Sequence, residues 1–257
     1  MTENATFALV PQTLIQSRRL LLHLVRDPMT LMQSIVYPAI MLVILNIVLG
    51  QQVSAFSGHD ALYGTVPMTA VLSAMLGSVA GAVTLGREWD AGILARFWVL
   101  PIHRASGLAG RVTAEATRIL VTTLAIIAVG LLLGFTFHGS VVLFVLIPLV
   151  YGMAFTTAVM AASFTLGKTA LVETVSLFCS LSMFLSPGFV PIAAYPSWIQ
   201  PLVEYQPMSC AIQAMQAIAL GEPAGAALAK AGIWSVGIFA VSVVPAYRGL
   251  RRATQPR

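Results

Sequence analysis

The sequence predicts an all-α integral membrane protein with six transmembrane helices. An apolar composition, six apolar stretches of spanning length and a one-sided distribution of basic residues carry that prediction. Of 257 residues, 58% are hydrophobic and 9% are charged, with a mean hydropathy of +0.88. A soluble domain carries about 25% charged residues, so residues 1–257 are expected to form a single membrane domain. The net charge of +5 could suggest nucleic acid. The basic residues instead lie beside apolar stretches and form no basic-aromatic stripe, so no nucleic-acid partner is expected.

Crossing a hydrocarbon core of about 30 Å takes about 20 apolar residues. Six stretches qualify: Leu31 to Leu49, Leu62 to Leu85, Leu108 to Leu133, Val141 to Leu166, Ala170 to Phe189 and Ala226 to Tyr247. Arg18, Arg19 and Arg26 precede the first, and Arg87, Arg96 and Arg104 lie between the second and third. Lys168 follows the fourth, and Arg248, Arg251, Arg252 and Arg257 close the chain. The intervening loops, residues 50–61, 134–140 and 190–225, hold no Lys or Arg. By the positive-inside rule both termini face the cytoplasm of a plasma-membrane protein. Lys230 is the exception and is expected to snorkel outward. The first residues lack a basic stretch followed by an apolar core, so no cleavable signal peptide is expected.

Residues 12–26 read as an interfacial helix. Arg19, His23 and Arg26 share one face and Leu14, Leu21 and Val25 the opposite one, with Arg18 falling on the apolar side. The cations would sit near anionic lipid headgroups; the simpler alternative is a helical extension of the first span.

Between the second and third stretches lies the densest charged and aromatic segment of the chain, about residues 87–104. It holds Arg87, Glu88, Trp89, Asp90, Arg96, Phe97 and Trp98. Ile93, Phe97 and Leu100 share a helical face, with Leu94 and Trp98 alongside. A short surface helix with an apolar face open to a partner is expected here. At the start of the third stretch, Arg111, Glu115 and Arg118 have the i, i+4 and i, i+3 spacings of a pairing ladder. They are expected either to stabilise a stem reaching into the cytoplasm or to transmit motion. Glu173 sits about one turn inside the fifth stretch, beside Lys168 or at the surface.

The fifth stretch ends in Ser186-Pro187-Gly188-Phe189-Val190-Pro191, followed by Pro196-Ser197-Trp198-Ile199-Gln200-Pro201. Residues 190–220 are expected to form short helices on, or dipping into, the outer leaflet, anchored by Trp198 and Tyr205. A seventh span there would place the carboxyl-terminal arginines outside. Small residues recur at Ala70, Ala74, Ser78 and Ala82, with Gly77 and Gly81 beside them, and at Ala154, Ala158 and Ala162, which permits close helix packing. Cys179 and Cys210 lack ligand spacing and are expected to be unpaired, and no metal site is expected.

Gly167-Lys168-Thr169 looks like the end of a P-loop, but Ala162 stands where that motif needs its first Gly. No zinc-protease or serine-hydrolase motif accompanies the four histidines, so the chain is expected to be neither an ATPase nor another enzyme.

The order of these parts resembles the permease subunits of type 2 ABC exporters. Arg96-Phe97-Trp98-Val99-Leu100-Pro101-Ile102-His103-Arg104 and Pro196-Ser197-Trp198-Ile199-Gln200-Pro201 look most like the daunorubicin-resistance permeases of actinobacteria. Asn46-Ile47-Val48-Leu49-Gly50 and Gln206-Pro207 add a likeness to the second of the two permeases that such operons usually carry. Trp89-Asp90 departs from the second Arg/Glu and small residue of many relatives, which alters the surface of the coupling helix.

The resemblance implies a half-transporter. Arg87, Glu88, Ile93, Leu94, Arg96, Phe97, Trp98 and Leu100 would contact the ATPase, and Pro187, Gly188, Phe189 and Trp198 would form the outer gate region. It also implies two copies of an ABC ATPase holding ATP and Mg, with no cofactor in this chain, and a second permease expected to be a different chain. The cargo would be hydrophobic or amphipathic: a drug such as an anthracycline, or a complex envelope lipid such as phthiocerol dimycocerosate. Two readings compete: a membrane scaffold anchoring an envelope-lipid biosynthetic enzyme, and a proton-coupled carrier that needs Glu173 to titrate.

Overall fold

The computed structural model describes residues 32–90, 104–166 and 168–254, together with Leu14, Ile15, Ser17, Arg18, Leu22 and Pro28. Among the described residues every regular element is helical. A π-turn at Met32–Val36 leads into α1 (Tyr37–Ser57), followed by α2 (Leu62–Asp90), α3 (Arg104–Leu132), α4 (Val141–Ser163) and α5 (Lys168–Phe184). A 3-10 turn at Ile192–Ala194 precedes α6 (Gln200–Tyr205), α7 (Pro207–Leu220) and α8 (Gly225–Thr254).

Four helical segments are long and apolar enough to cross a membrane: Leu62–Glu88, Gly110–Leu132, Val141–Ser163 and Gly225–Gly249. The apolar parts of α1, α5 and α7, namely Tyr37–Val48, Thr169–Phe184 and Pro207–Leu220, are shorter. The outward faces are apolar: Val241 is 77% and Ile47 is 74% exposed. A water-soluble protein rarely leaves such surface contiguous, whereas lipid tails solvate it.

α2 lies at the centre and packs on α1, α3, α4, α5 and α7, while α4 packs most extensively on α8. The small residues make this possible. Ala70, Ala74, Ser78 and Ala82 are all buried. A methyl group at Gly152 of α4 would press on the Ala74 methyl of α2 and on the Ile119 side chain of α3, so α2 and α4 approach closely there with Ile119 against them. The stripe on α2 thus serves packing within one chain.

Local capping explains several boundaries. Asp60 accepts a hydrogen bond from the Leu62 amide (2.9 Å), and Ser140 does the same for Leu143 (3.4 Å). Pro207 opens α7, and Gly221, at φ 75°, closes it in the left-handed conformation that glycine adopts without penalty.

Several boundaries depart from the sequence expectation. α1 continues to Ser57, so most of the expected loop 50–61 is helical: Gln51, Gln52 and Ser54 are helix-compatible although they end the apolar run. α2 runs to Asp90, which puts Arg87 and Glu88 on its last turns rather than on a separate surface helix. α5 ends at Phe184, ahead of Pro187. α7 is the largest departure, because it is a core element. Met208, Cys210, Ala211, Ile212, Ala214, Met215, Ile218 and Ala219 are buried against α2, α4 and α8. Small residues let these fourteen residues wedge inward instead of lying on the surface. Cys179 and Cys210 are both free, as expected, and the burial of Cys210 follows from the inward position of α7.

Candidate functional site

α2 and α3 flank residues 91–103, and their facing sides carry the most connected charged network among the described residues. Glu88, on the last turns of α2, pairs with Arg111 on α3. Farther along α3, Arg118 is only 3% exposed. Its guanidinium pairs with Glu115 one turn back, with Nε to Oε2 at 3.0 Å. The guanidinium also reaches across to α2, where Nη2 donates to the Ala74 carbonyl (3.0 Å) and Nη1 to the Ser73 carbonyl (3.4 Å). Glu115 also accepts from the Thr156 hydroxyl of α4 (2.9 Å), which in turn shares a hydrogen bond with Ser78 of α2 (2.8 Å). A charge removed from water is tolerated when its lone pairs and protons are all satisfied. The planar, five-donor guanidinium suits that task where a Lys ammonium would not.

Gly77 makes room for this arrangement. A Cβ there would collide with the Arg118 guanidinium. Gly81, one turn on, faces Glu115, and a Cβ there would sit 3.8 Å from Oε2. Gly77, beside the small-residue stripe, therefore leaves space for a charged side chain as well as for a backbone.

The expected ladder is half present. Arg118 and Glu115 pair at i, i+3, but Arg111 turns to Glu88 on α2, a partner 23 residues away. Arg118 is packed inside the helical bundle rather than on its surface. Glu173 is exposed on α5 and forms no ion pair among the described residues. Arg87 is exposed. Ile93, Leu94, Arg96, Phe97, Trp98 and Leu100 lie outside the described residues, as do Arg19, His23 and Arg26. In the expected N-terminal helix, Leu14, Ile15, Ser17, Arg18 and Leu22 are described and helical; Leu14 and Ile15 are exposed, and the buried Ser17 hydroxyl donates to the Leu14 carbonyl (3.0 Å).

At the opposite end of the bundle, the break after α5 is held by side chains. The last carbonyls of a helix have no partner within it. Here the Tyr195 hydroxyl donates to the Phe184 carbonyl (2.6 Å). Gln206 donates to the Leu185 and Ser182 carbonyls, the latter at 3.1 Å. Burial pushes the Tyr195 phenol up, which keeps it a donor. Gly188, after Pro187, lies so close to α2 that a Cβ would meet Met68 and the Gly64 carbonyl. Phe189 packs edge-on against Phe184, with ring centroids 5.2 Å apart. Trp198 is exposed. Lys230 does not snorkel alone: its ammonium binds Glu204 at 3.0 Å and lies 4.5 Å from the centre of the Tyr205 ring.

The ABC-2 type transporter model matches residues 11–220, most of the chain, including α2, α3 and α4 around Arg118 and the break after α5. The chain belongs to the ABC-2 type transporter family. It is 41% identical over 256 residues to a protein of Mycobacterium tuberculosis (strains CDC 1551 / Oshkosh and ATCC 25618 / H37Rv), covering 98% of this chain and 93% of the relative. That relative is called "Probable doxorubicin resistance ABC transporter permease protein DrrC". A "Daunorubicin resistance ABC transporter permease protein DrrB1" of Streptomyces coeruleorubidus is 26% identical over 233 residues, 89% of this chain and 79% of that protein. The resemblance read from 96–104 and 196–201 thus extends over nearly the full length, with the stronger likeness to a DrrC permease. This ABC-2 member is an integral membrane protein of the ABC transporter permease class.

Proposed function

We propose that this chain is one permease subunit of an ATP-driven exporter in the plasma membrane, with six spans and both termini in the cytoplasm. Two copies of a separate ABC ATPase, holding ATP and Mg, dock on the 91–103 segment, where Ile93, Leu94, Phe97, Trp98 and Leu100 supply the apolar contact. Arg87, Glu88 and Arg96 supply the charged contact, with Glu88 held by Arg111. A second permease, a different chain, completes the path. The interfacial helix, with Arg19, His23 and Arg26, rests on lipid headgroups. Pro187, Gly188, Phe189 and Trp198 form the outer gate region. The cargo is hydrophobic or amphipathic, an anthracycline-like drug or a complex envelope lipid.

The observation that carries this reading is the near end-to-end relation to a doxorubicin-resistance permease. The α2–α3 hairpin supports it by delivering a charged, aromatic segment from two helices already fastened to each other. The chain itself supplies no step of ATP hydrolysis; it binds, guides and shifts. ATP acts on it only through a docked subunit with unequal affinity for the two states of the path.

Purification of the tagged chain from native membranes in mild detergent, with mass spectrometry of stoichiometric partners, tests the proposal. An ABC ATPase with a second permease is the expected result. A biosynthetic enzyme in place of an ATPase would establish the scaffold reading. Phe97→Ala with Trp98→Ala is expected to lower the recovered ATPase; intact association would move the docking surface elsewhere.

A further inference from the structure

Arg118 lies fourteen residues into α3, about 21 Å along the helix axis at 1.5 Å per residue. At that depth it touches α2 directly and α4 through Glu115 and Thr156. Apolar side chains of similar volume would fill the same space, since buried ion pairs are replaceable by well-packed hydrophobic residues without loss of stability. Such residues would pack in many registers, whereas the guanidinium fork, the carboxylate and two hydroxyls accept one. Ser73, Ala74 and Ser78 fix the register on α2 and Thr156 fixes it on α4. Gly77 is the gap through which the fork reaches the α2 carbonyls.

We propose that Arg118 is a positioning residue that locks α2, α3 and α4 into one body, so that displacement of the 91–103 segment moves all three together. The proposal rests on the reading of the chain as an ATP-driven permease. Glu88–Arg111 fastens α2 to α3 at the ends that flank residues 91–103, and Arg118–Glu115–Thr156–Ser78 fastens them again deeper and adds α4. Because α4 also packs along α8, a displacement that enters at one hairpin is passed to the face of the last long helix.

The test measures the distance between spin labels at Val112 on α3 and Val150 on α4, both exposed. The complex with its ATPase is labelled with Cys179→Ala and Cys210→Ala in place, and compared without nucleotide and with ATP and vanadate. The wild-type distance is expected to be the same in both states. With Glu115→Leu plus Arg118→Met it is expected to broaden and to shift on ATP by about 1–2 Å or more, the scale of helix displacements in switching proteins. Thr156→Val is expected to broaden it less and Thr156→Ser to restore it, which a purely structural role would not require. Thr156→Val also keeps the test decisive where the double variant fails to fold. A wild-type distance that changes with ATP overturns the proposal, as does a double or Thr156→Val variant whose distance stays as sharp and invariant as wild type. Absence of a co-purifying ATPase removes the permease reading and the proposal with it, a different result from a bound ATPase and an unlocked helix pair.

Discussion

Arg118 and Lys230 each bind a carboxylate, but in opposite surroundings. Arg118 is 3% exposed, shares its carboxylate with a hydroxyl of another helix and donates to two main-chain carbonyls. Lys230 and Glu204 have side chains 35% and 38% exposed, and Tyr205 is their added neighbour. Depth separates the two. A buried charge must have every proton satisfied, because the alternative is an unpaired ion in a low-dielectric interior. A half-exposed pair exchanges partners with water and headgroups, gains little from any one geometry and is screened by salt. The first cluster fixes three helices from within; the second ties the short α6 to α8 at the surface.

Breaking one partner should separate the two clusters most sharply. Glu115→Leu leaves the Arg118 guanidinium buried without its counter-charge, and the expected loss of stability is about 3–5 kcal/mol. It is read as a lowered melting temperature of the purified chain in detergent; an unchanged temperature would show that Arg118 finds water or another partner. Glu115→Leu combined with Arg118→Met should recover most of that loss, because no unpaired charge remains.

Next in size is Gly77→Ala. Its methyl group enters the space of the guanidinium, and overpacking of this kind costs about 1–3 kcal/mol. The same substitution at Gly81, where a Cβ has 3.8 Å of clearance from Glu115, should have little effect. Equal melting temperatures for the two variants would show that Gly77 reserves no space for the guanidinium.

Lys230→Ala should have the smallest effect, with a melting temperature close to wild type at moderate salt. A fall comparable to that of Glu115→Leu would abolish the contrast between the two ends.

Much of this was legible in the sequence, and the exceptions share a cause. Long apolar runs such as Val141 to Leu166 and Leu62 to Leu85 predicted their helices because spanning length and composition are local properties. Arg118–Glu115 was legible from its i, i+3 spacing, and the break at Pro187-Gly188 from turn chemistry. Glu88–Arg111 was not, because its partners lie 23 residues apart on two helices, and neither spacing nor charge order singles out that pairing. The burial of α7 was missed for a similar reason. Ser209, Cys210, Ala211 and Ala214 give only a weak apolar signal, yet their small volume is what lets α7 enter the space between α2, α4 and α8. Gly77, beside the small-residue stripe, was the signal that could have located Arg118: a missing side chain in a packing ridge marks space reserved for something large.

The brevity of α5 bears on the bilayer itself. At seventeen residues α5 reaches about 25 Å, while the neighbouring α2, at twenty-nine, reaches about 43 Å. A hydrocarbon layer about 30 Å thick fits beside α2 with room to spare but exceeds α5. With α5 crossing, thinning of the lipid along the exposed Leu177, Leu181 and Phe184 is one way to meet it, at a cost of fractions of a kcal/mol per Å. The protein would then carry a standing dimple on one flank, where acyl chains are already compressed and a lipid-like molecule needs the least additional work to leave its leaflet.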